Sequence, residues 1–167
     1  MDFEFVAVIA CPLAGVFALF RDVDQYNEHE GSPVPVLDKI TDGPVGVGTC
    51  YREVVKMLPF ITMTILSEIT EYEPERYLAS RWWSNVMEGR LAYTFEPVDG
   101  GIRVVQRMSL NPKGVLRVFS PLIKVMFSRA GEHRLAWIKA FLEARASANQ
   151  LKLDDVAIHA ALTLSTD

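Results

Sequence analysis

The sequence predicts an α+β protein in which seven antiparallel strands are followed by one long C-terminal helix. Two observations carry this prediction. From residue 34 to about 110 the chain reads as short runs of alternating apolar and polar residues separated by turn residues. After Asn111-Pro112-Lys113-Gly114 the apolar spacing changes to that of a helix. The 167 residues are enough for one domain with a real core.

The N-terminal residues predict one strand followed by two short helices. Residues 2–10 alternate early and are rich in β-branched and aromatic side chains, which predicts the first strand. Pro12 suits the first turn of a helix, and apolar residues recur at helical spacing up to Arg21. A second short helix is predicted at 24–29, before the break at Gly31.

Six further strands are predicted in the middle of the chain. They cover residues 34–42, 49–57, 60–72, 77–84, 88–97 and 102–110. Glycine, proline, asparagine and aspartate residues stand between them. Connections this short favour an antiparallel meander, because parallel strands need long crossovers.

The main helix is predicted to begin at Ser120-Pro121 and to reach about Arg145. Its predicted buried face is apolar or small throughout and consists of Ile123, Met126, Ala130, Trp137, Phe141 and Ala144. We therefore divide the chain into a domain at 1–146 and a C-terminal extension at 147–167. The extension could be a short amphipathic helix against a partner subunit or an added edge strand, and its sequence does not decide between them.

Composition excludes several classes of function. The net charge is −4 and the 17 lysine and arginine residues are scattered, which argues against a nucleic-acid partner. Cys11 and Cys50 have no metal-ligand spacing, so we expect neither a metal nor another cofactor. Asp2 and Glu4 interrupt any signal-peptide core, and apolar runs are too short to cross a membrane. We expect a cytoplasmic protein.

The segment GPVGVGT at 43–49 places three glycines within six positions. A phosphate-binding loop needs a helix directly after its glycines, commonly with a Lys-Ser/Thr pair. Here the chain continues as a predicted strand from Cys50. The glycines therefore predict a tight turn and not a phosphate site.

The order of elements, together with three segments, resembles the polyketide cyclase/dehydratase and lipid-transfer superfamily, which includes the birch-pollen allergen and START domains. The segments are EYEP at 71–74, YTFEPVDGG at 93–101 and GPVGVGT at 43–49. The resemblance covers about residues 3–145 and implies the helix-grip fold, a curved sheet wrapped around the long helix with an apolar cavity between them. It also implies that the glycine loop lies near the cavity entrance.

Strand alternation predicts which side chains face that cavity. The predicted ligand-binding residues of the sheet are Tyr51, Glu53, Ile65, Ser67, Trp82, Tyr93, Phe95, Gln106 and Met108. From the helix we add Met126, Ala130, His133 and Trp137. Trp82 is chosen over Trp83 because a regular strand turns only one of the two inward.

Three polar residues interrupt this apolar face, namely Glu53, Ser67 and Gln106. A buried polar group without a partner costs about 1–3 kcal/mol, so these positions indicate where a function could lie, and Glu53 and Gln106 are candidates to orient a ligand. The candidates for acid/base catalysis are Glu53 and His133. His133 is chosen because histidine titrates near neutral pH, and it is also a candidate to orient a ligand. The simpler interpretations are that Glu53 reaches solvent or an ion-pair partner, that His133 is bonded within the protein, and that the tryptophans fill the core.

The predicted function is binding of a hydrophobic small molecule of lipid, polyketide or aromatic type. The alternative is a polyketide cyclase/aromatase-like enzyme in which Glu53 and His133 approach one substrate. A third possibility is an interaction module with a filled core, in which residues 147–167 make a homodimer.

Overall fold

The computed structural model describes residues 1–22, 37–58 and 61–164, with side chains except at 56–58, 61–62 and 149–164. Its elements are β1 (Asp2–Ile9), α1 (Leu13–Arg21), β2 (Leu37–Lys39), β3 (Cys50–Leu58), β4 (Ile61–Glu73), β5 (Tyr77–Trp83), β6 (Met87–Val98), β7 (Gly101–Pro112), a 3-10 helix (Gly114–Phe119) and α2 (Ser120–Leu164). The second short helix predicted at 24–29 lies outside the described residues.

The seven strands form one curved antiparallel sheet in the order β1-β7-β6-β5-β4-β3-β2. Each strand from β2 to β7 pairs with its neighbour in the sequence, and β1 pairs with β7. The register shifts between Ile69 and Glu71 on β4 and between Lys56 and Leu58 on β3. Such bulges bend the strands and increase their twist. The predicted fold class, with its sheet wrapped around a long C-terminal helix, is confirmed.

Most boundaries differ from the predicted ones by one or two residues, with two exceptions. Strand β2 (Leu37–Lys39) ends at Lys39, where the prediction ended at 42, and the predicted residues 34–36 lie outside the described residues. Helix α2 continues to Leu164 and does not end near Arg145. Residues 146–164 contain neither glycine nor proline, so nothing in the sequence breaks the helix there. The extension predicted at 147–167 is therefore a continuation of α2 as far as Leu164.

Helix α2 packs on the inner face of the sheet and lies closest to β1. Its buried side chains include Ile123, Leu135, Ile138 and Leu142. At Gly131 the helix backbone comes so close that a Cβ atom there would lie 2.3 Å from the Phe5 ring. A hydrogen in place of a side chain is what permits this approach.

The predicted buried face of α2 is wrong at several positions. Met126 is 52% exposed, and Ala130, His133 and Ala144 are also exposed. Ile123 is buried, and Trp137 and Phe141 are half-buried, as expected. The cause is that the first turns of α2 carry apolar residues on two sides, and helical spacing alone does not show which side meets the sheet.

Candidate functional site

The candidate site lies on the inner face of the sheet, where Gln106 of β7 stands in the middle of a row of side chains. Gln106 is opposite Phe5 on β1 and opposite Tyr93 on β6. Tyr93 is in turn opposite Leu78 on β5. Directly opposed residues of antiparallel strands point to the same side of the sheet, so these four side chains form one inward row.

Gln106 is the anomaly of this row. Its side chain is completely buried, with 0% exposure. Both amide atoms, Nε2 and Oε1, are buried without a hydrogen-bond partner among the described residues. A buried amide left unpaired destabilises the folded protein by about 1–3 kcal/mol. The inner face thus holds one donor and one acceptor that the described part of the chain does not satisfy.

Tyr93 is buried beside it and is held by aromatic contacts. Its ring centroid lies 4.7 Å from that of Phe20 on α1 and 6.4 Å from that of Phe95. Burial raises the pKa of the Tyr93 hydroxyl, and the positive charge of Arg134 partly opposes this rise. The phenol is therefore neutral at physiological pH and can both donate and accept a hydrogen bond.

Glu53 supplies a carboxyl group on the same face of β3. It is half-buried and stands opposite Ile65 on β4 and Leu37 on β2. Burial raises the pKa of this carboxyl group, and the charge of Arg134 again acts against the rise. No salt bridge joins the two side chains in the described part of the chain.

Arg134 is the functional candidate that the sequence reasoning missed. It is half-buried on α2 and acts electrostatically on both Tyr93 and Glu53. A signal was available, because Arg134 lies about 20° from Ile123 on a helical projection of about 100° per residue. His133 lies about 100° away from Arg134 on the same projection and is exposed.

A second inward row runs across the middle of the sheet. Tyr51 on β3 is opposite Ser67 on β4, which is opposite Trp82 on β5. Trp82 faces Gly89 on β6, and a Cβ atom on Gly89 would lie 2.6 Å from the indole ring. The indole therefore packs directly against the glycine. Trp83 points the other way, where the Arg81 guanidinium lies 5.2 Å from its ring centroid.

The structure brings together most of the predicted ligand-binding residues. Those on the inner face of the sheet are Tyr51, Glu53, Ile65, Ser67, Trp82, Tyr93, Phe95, Gln106 and Met108. Trp137 on α2 is half-buried and stacks on Phe141 at 5.1 Å. Met126, Ala130 and His133 do not join this set, because they lie on the exposed side of α2. His133 is exposed whereas Glu53 is half-buried, and the predicted roles of these residues in binding and catalysis stay predictions.

The glycine loop between β2 and β3 has the turn geometry that its sequence predicted. Gly43 and Gly48 adopt φ angles of 89° and 87°, which other residues rarely adopt. The loop leads directly into β3 and not into a helix. The loop therefore lacks the helix N-terminus that a phosphate site requires.

The described residues contain neither a metal-binding cluster nor a helix that could span a membrane. No group of three or more histidine, cysteine, aspartate or glutamate side chains there could hold a metal ion. Among the described helices, none is sufficiently long and apolar to span a bilayer.

Comparison with known proteins agrees with this architecture. A family model described as polyketide cyclase / dehydrase and lipid transport matches residues 1–143. The chain belongs to this family. Comparison with curated proteins finds no match. The family name covers both cyclases and lipid carriers, so membership alone does not choose between catalysis and binding.

Several solved structures share the fold of this chain. The Zhui aromatase/cyclase from Streptomyces sp. R1128 has a TM-score of 0.71 at 15% identity, covering 87% of this chain and 94% of that one. TTHA0849 from Thermus thermophilus has a TM-score of 0.63 at 20% identity, with coverages of 89% and 99%. Ara h 8.0201 has a TM-score of 0.60 at 13% identity, with coverages of 86% and 98%. At these identities the likeness shows the fold alone.

Proposed function

We propose that this protein binds a hydrophobic small molecule of lipid, polyketide or aromatic type between the sheet and α2. The observation that carries the proposal is the buried, unpaired amide of Gln106. A ligand with a carbonyl or hydroxyl oxygen would supply the missing hydrogen bond. Apolar neighbours such as Phe5, Met108 and Leu78 would supply the contact area, worth about 25 cal/mol for each Å² of apolar surface removed from water.

The polar groups around Gln106 define the chemistry of the proposed ligand. Tyr93 is the residue directly opposite Gln106 on the neighbouring strand, and it adds a neutral hydroxyl group. Arg134 adds a positive charge that acts on Tyr93 and Glu53. The Gln106 amide favours an oxygenated ligand over a pure hydrocarbon, because a hydrocarbon would leave its Nε2 and Oε1 atoms without partners. A few polar groups in an otherwise apolar binding site typically fix the orientation of the ligand.

The substitution Gln106→Met tests this role, because methionine has nearly the same shape and no amide. We expect the free protein to gain about 1 kcal/mol of stability, since an unpaired buried amide is removed. We also expect about tenfold weaker binding of emodin, a tricyclic ring system with carbonyl and hydroxyl groups, because the lost hydrogen bond is worth about 1.4 kcal/mol. Chemical unfolding and displacement of a fluorescent naphthalene sulfonate measure the two effects.

Met108→Leu is the matched control, since Met108 is the next inward residue on β7 and is also buried. It should change both stability and emodin binding by less than Gln106→Met does. Anthracene, with the same ring system but no oxygen, should bind wild type and Gln106→Met equally. Lower stability of Gln106→Met, with unchanged emodin binding, would show that the amide has a structural partner and would refute the proposal.

A second candidate function is acid/base catalysis by Glu53 in the same site. It is favoured by the half-buried position of this carboxyl group and by the raised pKa that burial gives it. Such a group can carry a proton at a pH where an ordinary glutamate is ionised. His133 is on the exposed side of α2 and is not part of this candidate.

Glu53→Gln separates binding from catalysis. The amide keeps the size of the side chain and cannot exchange a proton in the way that a carboxyl group does. With a linear poly-β-ketone thioester as the probe, turnover lost in Glu53→Gln at unchanged affinity would support the enzyme. Turnover by the wild-type protein that persists in Glu53→Gln would exclude Glu53 as the catalyst, and no turnover by either would leave binding as the function.

A further inference from the structure

An exposed apolar surface lies at the junction between β7 and α2. Twelve large hydrophobic side chains are exposed in the described part of the chain, and six of them fall within twelve consecutive positions. These six are Val115, Val118, Phe119, Leu122, Val125 and Met126, here called the 115–126 patch. Their exposures run from 49% to 76%. Single exposed hydrophobic residues are ordinary, whereas a cluster of this kind marks an interaction site.

The patch is a preformed surface because its backbone is anchored to the protein. Leu116 and Phe127 pack against the core, and Ile123 is buried within it. The Arg117 guanidinium donates a hydrogen bond to the Pro112 carbonyl oxygen, and the Ser120 hydroxyl donates one to the Arg117 carbonyl oxygen. These contacts hold the segment in place while its other side faces solvent.

The helical part of the patch lies opposite the side that packs on the sheet. At about 100° per residue, Leu122, Val125 and Met126 fall within a sector of about 100°. The centre of that sector points away from Gly131, where the helix touches Phe5. Helix α2 therefore begins with two apolar sides, of which one is used for packing and the other has no partner among the described residues.

The charged residues within the segment 114–131, which includes the patch, are all positive. Between residues 114 and 131 the chain has three cationic residues, Arg117, Lys124 and Arg129, and no acidic residue. All three are exposed. Lys124 and Arg129 form no salt bridge within the part of the chain that the structure describes. The protein as a whole has a net charge of −4, so this segment differs in sign from the rest.

We propose that the 115–126 patch docks the protein on a membrane surface that contains anionic lipids. Apolar side chains flanked by lysine and arginine are the combination that enters the boundary between acyl chains and headgroups. The apolar residues would insert at this boundary, and Arg117, Lys124 and Arg129 would contact lipid phosphates or carboxylates. This binding is peripheral and needs no bound ligand, so it stands apart from the proposed function.

Vesicle flotation tests the proposal with the full chain. Wild type should bind vesicles of phosphatidylcholine with about 30 mol% phosphatidylserine more strongly than vesicles of phosphatidylcholine alone. The double substitution Phe119→Ser with Leu122→Ser should lower the partition coefficient about tenfold or more on both kinds of vesicle. The double substitution Lys124→Glu with Arg129→Glu should lower binding only to the vesicles that contain phosphatidylserine. It should also make that binding less sensitive to salt.

The matched control is Val6→Ser with Val54→Ser, because these side chains are 48% and 56% exposed on the outer face of the sheet. It should leave vesicle binding within about twofold of wild type. Circular dichroism confirms that each variant is folded. Absence of vesicle binding by wild type, or equal binding by the patch and control variants, would overturn the proposal. Self-association that only the patch variant loses, without vesicle binding, would assign the patch to a second copy instead.

Discussion

The inner face of β7 and the inner face of the β4–β5 pair differ in how completely they are covered. On β7 every inward side chain from Ile102 to Leu110 is buried. On β4 and β5 the inward residues Met63, Ile69 and Leu78 are buried. The inward residues Ile65, Ser67, Ser80 and Trp82 of these strands are only half-buried. We call the first the packed region and the second the open region. The difference follows from the position of α2, which lies closest to β1, the neighbour of β7.

The comparison shows that the polar groups of the candidate site lie on both sides of this boundary. Gln106 belongs to the packed region, and Glu53 stands beside Ile65 of the open region. Arg134 acts on Glu53 and also on Tyr93, the cross-strand neighbour of Gln106. A ligand that contacted both Glu53 and Gln106 would therefore have to span both regions.

The largest expected effect comes from shortening one isoleucine in each environment. Ile102→Ala shortens an inward side chain of β7 that is 6% exposed, so we expect a loss of about 3 kcal/mol in the free energy of unfolding. Ile65→Ala removes the same atoms at a half-buried position and should cost about 1 kcal/mol. Urea unfolding of both variants measures the difference. Equal losses would show that the open region is packed as tightly as β7.

The sequence predicted the sheet better than it predicted the helix, and the reason is physical. A strand has only two faces, so the alternation in residues 102–110 was enough to place Gln106 inward among apolar residues. A helix can be rotated continuously, and α2 begins with apolar residues on two sides. The rotation was therefore misjudged, with Met126 predicted inward and Arg134 overlooked.

Other features had no signal in a single sequence. The missing hydrogen bonds of Gln106 depend on which atoms surround its amide, and pattern reasoning does not give that. The covered and open parts of the sheet depend on where α2 crosses it. That crossing is fixed in part by the contact of Gly131 with Phe5, two residues that are far apart in the chain.

The second-largest effect is expected at the position where helix α2 lies closest to the sheet. In Gly131→Ala the new methyl group would lie 2.3 Å from the Phe5 ring, so the helix or the ring must move. Overpacking of this kind typically lowers the free energy of unfolding by about 1–3 kcal/mol. The higher helix propensity of alanine raises it by about 1 kcal/mol. We expect a net loss of about 1–2 kcal/mol, measured by urea unfolding.

Gly15→Ala in α1 is the control for that substitution. A Cβ atom at Gly15 would meet only the Cys11 sulfur, at 3.2 Å, and Gly15 is exposed. Helix propensity should then dominate, and stability should rise by up to about 1 kcal/mol. If both substitutions stabilised the protein equally, the close packing of α2 on β1 would be excluded.

The smallest expected effect concerns the charge at the edge of the open region. Burial raises the pKa of Glu53, so the folded protein retains this proton at pH values where the unfolded chain has lost it. The contribution of Glu53 to stability is therefore complete below its ordinary pKa of 4.5 and is lost as the pH rises through the folded value. Glu53→Gln has no such loss.

The stability of Glu53→Gln relative to wild type should therefore increase above pH 4.5 and then level off. Urea unfolding at a series of pH values measures this change. Arg134→Met should steepen the pH dependence of the wild-type background, because the charge of Arg134 opposes the rise in the pKa of Glu53. A Glu53→Gln variant that instead became less stable than wild type with rising pH would show that attraction to Arg134 outweighs burial. Glu53 and Arg134 would then act as an ion pair that covers the open region, and a ligand would have to displace it.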